Sequence, residues 1–489
     1  MERIELKAED RAFFSLVSEA AFANPFGKKR QALDRKILGV TQATRWATMV
    51  SKVIERVHSK LTTLDQAQCC RVQDFPERDQ AIFHTVFLFD IFHGSIDQFD
   101  ALIDQQVKQG SDSQKVTFSD QVIKKLVNRG FPEELAYRYF SLFYQIRRAF
   151  YFIDKGLLGE CDCMHRLREN LWNHIFTSDI QLYETSLWNR MEDFSTLLIG
   201  PTGSGKGAAA AAIGRSGFIP FEPNRKQFAT SFTDTFVSVN LTQYAETLLE
   251  SELFGHTKGS FTGAVSSHEG LLSLCGRHGS IFLDEIGDIS PSIQIKLLKV
   301  LEERCFTPVG SHKVARFHGR VIAATHQPLD VLRKQGTFRD DFYYRLCSDC
   351  IELPSLYQRI AESPNELDIL IAHTVTWITG QPNKRLCETV RQVIDTRLGR
   401  DYTWPGNVRE LAQCVRRVII KQDYQGGAFS QGDTNATDSL ADQMRAGSLR
   451  AEDLVAQYCK MLYKRLGTYE EVARRTDLDR RTVKRYVAM

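Results

Sequence analysis

No uninterrupted apolar run in this chain reaches membrane-spanning length, and Met1-Glu2-Arg3-Ile4-Glu5 is charged with no apolar stretch behind it. Neither a secretory leader nor a bilayer span is expected, and the expectation is a cytoplasmic protein without a membrane partner. Charge of one sign is also missing in bulk. With 63 Lys and Arg against 60 Asp and Glu the formal charge is +3, so any DNA-binding surface must be local. The 11 cysteines follow no regular framework, and no disulfide is assigned. Cys161-x-Cys163-x-His165 reads as half of a metal or redox site at most, because no second ligand pair stands at finger spacing. Cys347-x-x-Cys350 runs on in alternation into Ile351 and Leu353 and reads as strand packing. Residues 1–172 carry no motif that points to chemistry. They read as mostly helical, and the lack of alternating strands and helices argues against a phosphorylated receiver domain.

What is present centres on Gly200-Pro201-Thr202-Gly203-Ser204-Gly205-Lys206. The apolar run Thr196-Leu197-Leu198-Ile199 precedes it and the alanine-rich run Ala208 to Ala212 follows. Strand, glycine loop and helix together aim backbone N–H groups and a helix N-terminus at one spot, which suits a polyphosphate, and Lys206 adds a point charge. The position after the lysine, where a hydroxyl commonly meets magnesium, is Gly207, so a metal must lean on other residues. At 489 residues the chain is long enough for two to four domains.

Three further strands end on polar residues. Phe236-Val237-Ser238-Val239 ends on Asn240, Ile281-Phe282-Leu283 on Asp284 and Glu285, and Arg320-Val321-Ile322-Ala323-Ala324 on Thr325 and His326. Strand ends of an open α/β sheet meet at one crevice. Paired carboxylates there form the Walker B pattern, one holding the magnesium shell and its neighbour activating water. Between these landmarks, Phe261 and Thr262 stand between Gly259 and Gly263 in a stretch that reads as a mobile loop tip. Composition leaves open whether that tip is a bland loop or a contact. In the N-terminal region, Leu135, Tyr139, Leu142, Phe143, Ile146, Phe150 and Ile153 repeat at helical spacing, with Arg138, Arg147 and Arg148 on the far side. Ordinary core is expected there over a ligand pocket.

Taken together, these residues resemble the AAA+ activators of sigma-54 RNA polymerase, the bacterial enhancer-binding proteins. The resemblance covers about residues 190–420 and the C-terminal tail. It implies ATP and Mg2+ as cofactors, with Gly200, Pro201, Thr202, Gly203, Ser204, Gly205, Lys206 and Gly207 at the phosphates. Asp284 would serve the metal, Glu285 the water, and Asn240 would hold Glu285 inactive. Thr325 would be a sensor, followed by His326 where asparagine is common. Arg339 and Arg345 look like arginine fingers, and Arg409, in Trp404-Pro405-Gly406-Asn407-Val408-Arg409, like a second sensor on the lid. Phe261 and Thr262 match the loop that contacts the sigma factor, with Ser260 where alanine is usual. The stretch from Ser216 to Thr235 is longer than the family pattern, and Pro354-Ser355-Leu356-Tyr357-Gln358-Arg359 replaces an arginine-rich run.

Residues 422–447 are polar, glycine-bearing and aperiodic, as a linker is. Beyond them an amphipathic helix and two short helices are expected, the last carrying Arg480, Arg481, Thr482, Lys484 and Arg485. That layout is a helix-turn-helix, similar to the Fis-type tail of the same activators. The expected division is a helical regulatory region (1–172), an α/β AAA+ core (173–353), its helical lid (354–421), the linker and a small all-α DNA-binding domain (448–489). The implied partners are sigma-54 RNA polymerase, an enhancer-like site on double-stranded DNA and further copies of the chain, in a hexameric ring. A AAA+ protein-remodelling ATPase, or a DNA-binding regulator without ATPase activity, is the alternative.

Overall fold

The computed structural model describes residues 5–40, 46–66, 71–110, 114–399, 401–426 and 450–488. The N-terminal region is helical, as expected. It runs through α1 (Ala8–Phe22), α2 (Lys28–Leu38), α3 (Trp46–Gln66), α4 (Glu77–His93), α5 (Ile96–Gln109), α6 (Ser119–Asn128), α7 (Glu133–Gly156) and α8 (Asp162–Phe176). A five-stranded parallel sheet follows: β1 (Thr196–Ile199), β2 (Phe236–Asn240), β3 (Ser280–Asp284), β4 (Arg320–Thr325) and β5 (Asp349–Glu352), in the order β2-β3-β4-β1-β5. Successive side chains on a strand face opposite ways, so each strand feeds two cores. Leu197, Ile281, Leu283, Val321 and Ala323 enter one; Leu198, Phe282, Ile322 and Ala324 enter the other.

That second core is continuous with the N-terminal bundle, from Phe14 to Ile351. Its bridge is α7, which the spacing predicts as a helix with one apolar stripe. The stripe is present, but Phe140, Tyr144, Gln145 and Arg148 are buried as well. Arg148, expected on the far side, is fully enclosed: its Nη1 and Nη2 donate to the carbonyls of Arg215 (2.6 Å) and Gly217 (2.7 Å), and its guanidinium lies over the Tyr144 ring. The reason is tertiary. One side of α7 faces the bundle, and the other faces α9 (Lys206–Gly214), the helix after the glycine loop, together with the long Ser216–Thr235 stretch. That stretch forms a two-stranded ribbon whose Phe221 and Phe228 pack on Phe140 and Tyr144, and Phe221 N donates to Ser141 Oγ (3.0 Å).

The lid comprises α10 (Leu356–Glu362), α11 (Asn365–Thr379), α12 (Lys384–Arg397) and α13 (Asn407–Lys421), with its own core. Arg359 is buried, pairing with Glu366 (2.8 Å) and donating to Leu158 O (2.6 Å), so the lid is also tied to the N-terminal region. The linker expected from residue 422 begins later. Tyr424 is buried against the lid, its hydroxyl bonded to Glu410; residues 427–447 lie outside the described residues. The C-terminal residues form α14 (Ala451–Leu466), α15 (Tyr469–Thr476) and α16 (Arg480–Ala488), packed around Cys459, Leu462, Val472 and Val483. No described helix is long and apolar enough to cross a membrane.

Candidate active site

Register brings the strand ends together. Asn240 pairs with Asp284, Asp284 with Ala324, and Ile199 with Thr325, so the glycine loop rises beside the paired carboxylates. Gly203 and Gly205 take positive φ (76° and 107°), conformations that favour glycine and turn the loop into α9. The buried Lys206 folds back on this loop, Nζ donating to Gly200 O (2.9 Å) and Pro201 O (3.4 Å). Burial lowers its pKa while Glu285 and Asp284 oppose the fall; burial, then Glu285, raise that of Asp284. Ser204 Oγ is buried in the same loop with no hydrogen-bond partner.

The lid closes directly on the loop. Asn407 Nδ2 donates to Thr202 O (3.0 Å), its Oδ1 accepts from Leu356 N (2.7 Å), and Val408 N donates to Gly203 O (3.1 Å). A Cβ at Gly203 would stand 2.3 Å from Gly406 O, so glycine permits this approach as well as the turn. The sequence motif contains Asn407, but only the fold reveals its three-way joint. Arg409, two residues further along the same helix, is exposed and electrostatically felt by Lys206 and Asp284.

Glu285 adopts φ 59°, an uncommon backbone for a glutamate. Its Oε2 lies 2.7 Å from His326 Nδ1. The expected contact with Asn240 is not the one formed: Asn240 Oδ1 instead accepts from Thr242 N (3.0 Å) and Thr242 Oγ1 (2.7 Å), a local cap on the turn after β2. Thr325 is fully buried, its Oγ1 accepting from Gln327 N (3.0 Å). Glu285, Asp288 and His326 bring three ligand atoms within 4.8 Å of one another. Asp288 has no counterpart in the sequence reading. Arg339 pairs with Asp341 (2.6 Å) and Arg345 donates to Leu301 O (2.8 Å); among the described residues neither bonds Lys206, Asp284 or Glu285.

Phe261 and Thr262 occupy an exposed tip. Gly259 N donates to Ala264 O (2.9 Å), and the Phe261 ring leans edge-on against His256 (4.9 Å). Ser260 Oγ is buried without a partner. In the tail, Asp479 Oδ1 caps α16 through Arg481 N (2.8 Å) and Thr482 N (3.2 Å), and Thr482 Oγ1 bonds the same carboxylate. Arg480 pairs with Glu470 (2.7 Å), while Arg481, Lys484 and Arg485 are exposed. Cys161 and Cys163 are buried with sulfurs 3.3 Å apart, joined within reach by Glu362 rather than His165. Cys350, expected in strand packing, is exposed on the edge strand β5.

Residues 180–352 match the family described as the sigma-54 interaction domain. Over that stretch the chain resembles the sigma-54-dependent enhancer-binding activators. It is 38% identical over 243 residues to a Nif-specific regulatory protein of Azotobacter vinelandii, a match covering 50% of this chain and 42% of that one. It is 38% identical over 265 residues to the transcriptional regulatory protein ZraR of Escherichia coli, covering 54% and 52%. The chain thus spans about half the length of the curated relatives it matches. NtrX from Brucella abortus, solved in complex with ATP, aligns at a TM-score of 0.40 and 20% identity over 80% of this chain and 86% of that one, a likeness that carries no argument about ligands.

Proposed function

We propose that this protein hydrolyses ATP between subunits of a ring, binds upstream DNA through its tail and remodels the sigma-54 RNA polymerase closed complex so that a promoter opens. Supporting nucleotide binding are the N–H-lined loop, Lys206 and the orphaned Ser204 Oγ, a donor set that fits phosphate oxygens. Gly200 to Gly207 would hold the phosphates, and Asp284 at the strand end, next to Glu285, would hold a hydrated Mg2+. Bound Mg2+ would supply charge neutralisation at the transferred phosphoryl group. Glu285 then takes the proton of the attacking water once it leaves His326, and Arg339 and Arg345 reach a neighbouring subunit's cleft. The exposed cations Arg481, Lys484 and Arg485 suit phosphates and base edges in a major groove, with Arg480 released from Glu470 and Thr482 bonded to the Asp479 cap of the recognition helix.

One observation carries the reading to sigma-54: a domain of that family presents Phe261 and Thr262 on an exposed tip between Gly259 and Gly263. An apolar ring there gains by burial against a partner. The test is promoter opening by the full chain with sigma-54 polymerase and ATP. Phe261→Ala should hydrolyse ATP at near the native rate and open no promoter. Opening at the parent's level would remove the loop from the contact.

A further inference from the structure

Sequence periodicity favours ordinary core around α7, yet α1, α4, α7, α8 and the stretch to Glu184 enclose a cavity of about 460 Å3. That lies within the range of about 300–1,000 Å3 typical of small-molecule sites. Its wall is aromatic, including Phe89, Phe92, Phe143, Phe150, Trp172 and Phe176. Flat, polarisable faces of this kind favour an apolar ring system.

The charged groups are few. Arg30 and Arg147 line the cavity, held in orientation by Asp34 (2.9 Å) and Asp100 (2.5 Å). Glu184 is engaged by the Tyr139 hydroxyl (2.6 Å) and Arg138 (3.4 Å). His93, its ring against Phe89 (4.2 Å) and Phe92 (5.1 Å), has a buried Nδ1 with no hydrogen-bond partner. Burial and then the two nearby guanidiniums push His93 down to about 3, so it is neutral at physiological pH and sits in a positive field. An unclaimed buried nitrogen costs free energy until something bonds it.

We propose that this cavity binds a small aromatic acid, its ring among the phenylalanines and its acid group beside His93, Arg30 and Arg147. The wall of the site is joined to the ATPase core. Tyr183, which lines it, bonds Gln145 (2.9 Å), and Gln145 donates to Ser216 O (2.9 Å) just past α9. Residues 183–187 form a π-helical turn, an irregularity frequent at functional sites. The site goes beyond the activator reading and stands without it.

Isothermal titration of the full chain with 1-naphthoate and with its neutral counterpart 1-naphthalenemethanol tests the proposal. Naphthoate should bind at one saturable site, about tenfold tighter than the alcohol. Ile146→Trp, which fills the cavity, should abolish both. His93→Phe keeps the ring and removes the nitrogens, so it should bring the acid to the alcohol's affinity and leave the alcohol unchanged. Absence of saturable binding, equal affinity for acid and alcohol, or naphthoate binding that survives both substitutions would overturn it.

Discussion

Glu285 stands in left-handed backbone with its carboxylate 2.7 Å from His326, at the position where the family pattern suggested asparagine and a sensor. The imidazole fixes the orientation of the carboxylate and occupies Oε2, one of its two oxygens, so it competes with an attacking water for that atom. His326→Ala should therefore raise basal ATP turnover about threefold and leave nucleotide affinity within about twofold, as expected when only a ground-state restraint is lost. Steady-state hydrolysis and fluorescent-nucleotide titration check this, and a fall in turnover would make His326 a positioning group for Glu285. Gly207 offers a second test. A Cβ there would meet nothing within 4 Å, so a larger residue fits. Gly207→Thr restores a hydroxyl to the start of α9, and the Mg2+ concentration for half-maximal hydrolysis should fall roughly threefold to tenfold. An unchanged Mg2+ dependence would mean that the carboxylates alone carry the metal.

At the scale of elements, α7 is the part whose role changed most between chain and fold. Its Arg148 has no carboxylate partner among its recorded bonds. It satisfies two carbonyls just past α9, and burial lowers its pKa to about 10. Arg148→Met fills a similar space but leaves those carbonyls unbonded. The loss should be about 2–6 kcal/mol, from about 1–3 kcal/mol for each of the two orphaned groups. Denaturant unfolding followed by tryptophan fluorescence reads it, and a change below about 0.5 kcal/mol, typical of surface sites, would contradict the bridging role. The Ser216–Thr235 stretch belongs to the same joint. Its extra length was visible in the sequence, and so were Phe221, Phe228 and Phe232; that they form a pad for α7 was not, because their partners lie some 80 residues earlier.

On the scale of the whole molecule, Arg339 and Arg345 are half-buried and engaged by Asp341 and Leu301 O rather than by Lys206, Asp284 or Glu285. The proposed sharing of the active site between copies of the chain is tested by mixing. Arg345→Ala and Lys206→Ala proteins, each inactive alone, should recover part of the hydrolysis when mixed, because each mixed interface combines an intact loop with an intact finger; such a finger is worth about a thousandfold or more in rate. Full activity of a dilute monomer would refute it. The shared core from Phe14 to Ile351 also predicts that removing residues 1–172 exposes apolar surface on α9 and the ribbon, so regulation is better probed by substitution than by truncation. By itself the sequence determined the parts whose chemistry is local: the glycine loop, the strand ends with Asp284 and Glu285, the tip at Phe261 and the basic last helix. Each is a contiguous run in which residue type and backbone requirement coincide. Tertiary structure alone decided that Glu285 meets His326 rather than Asn240, that Asn407 joins lid and loop, and that the helical N-terminal region packs on the ATPase sheet around a cavity. Those outcomes depend on side chains brought together across tens to hundreds of residues, and periodicity along one helix records that a face is buried without recording what buries it.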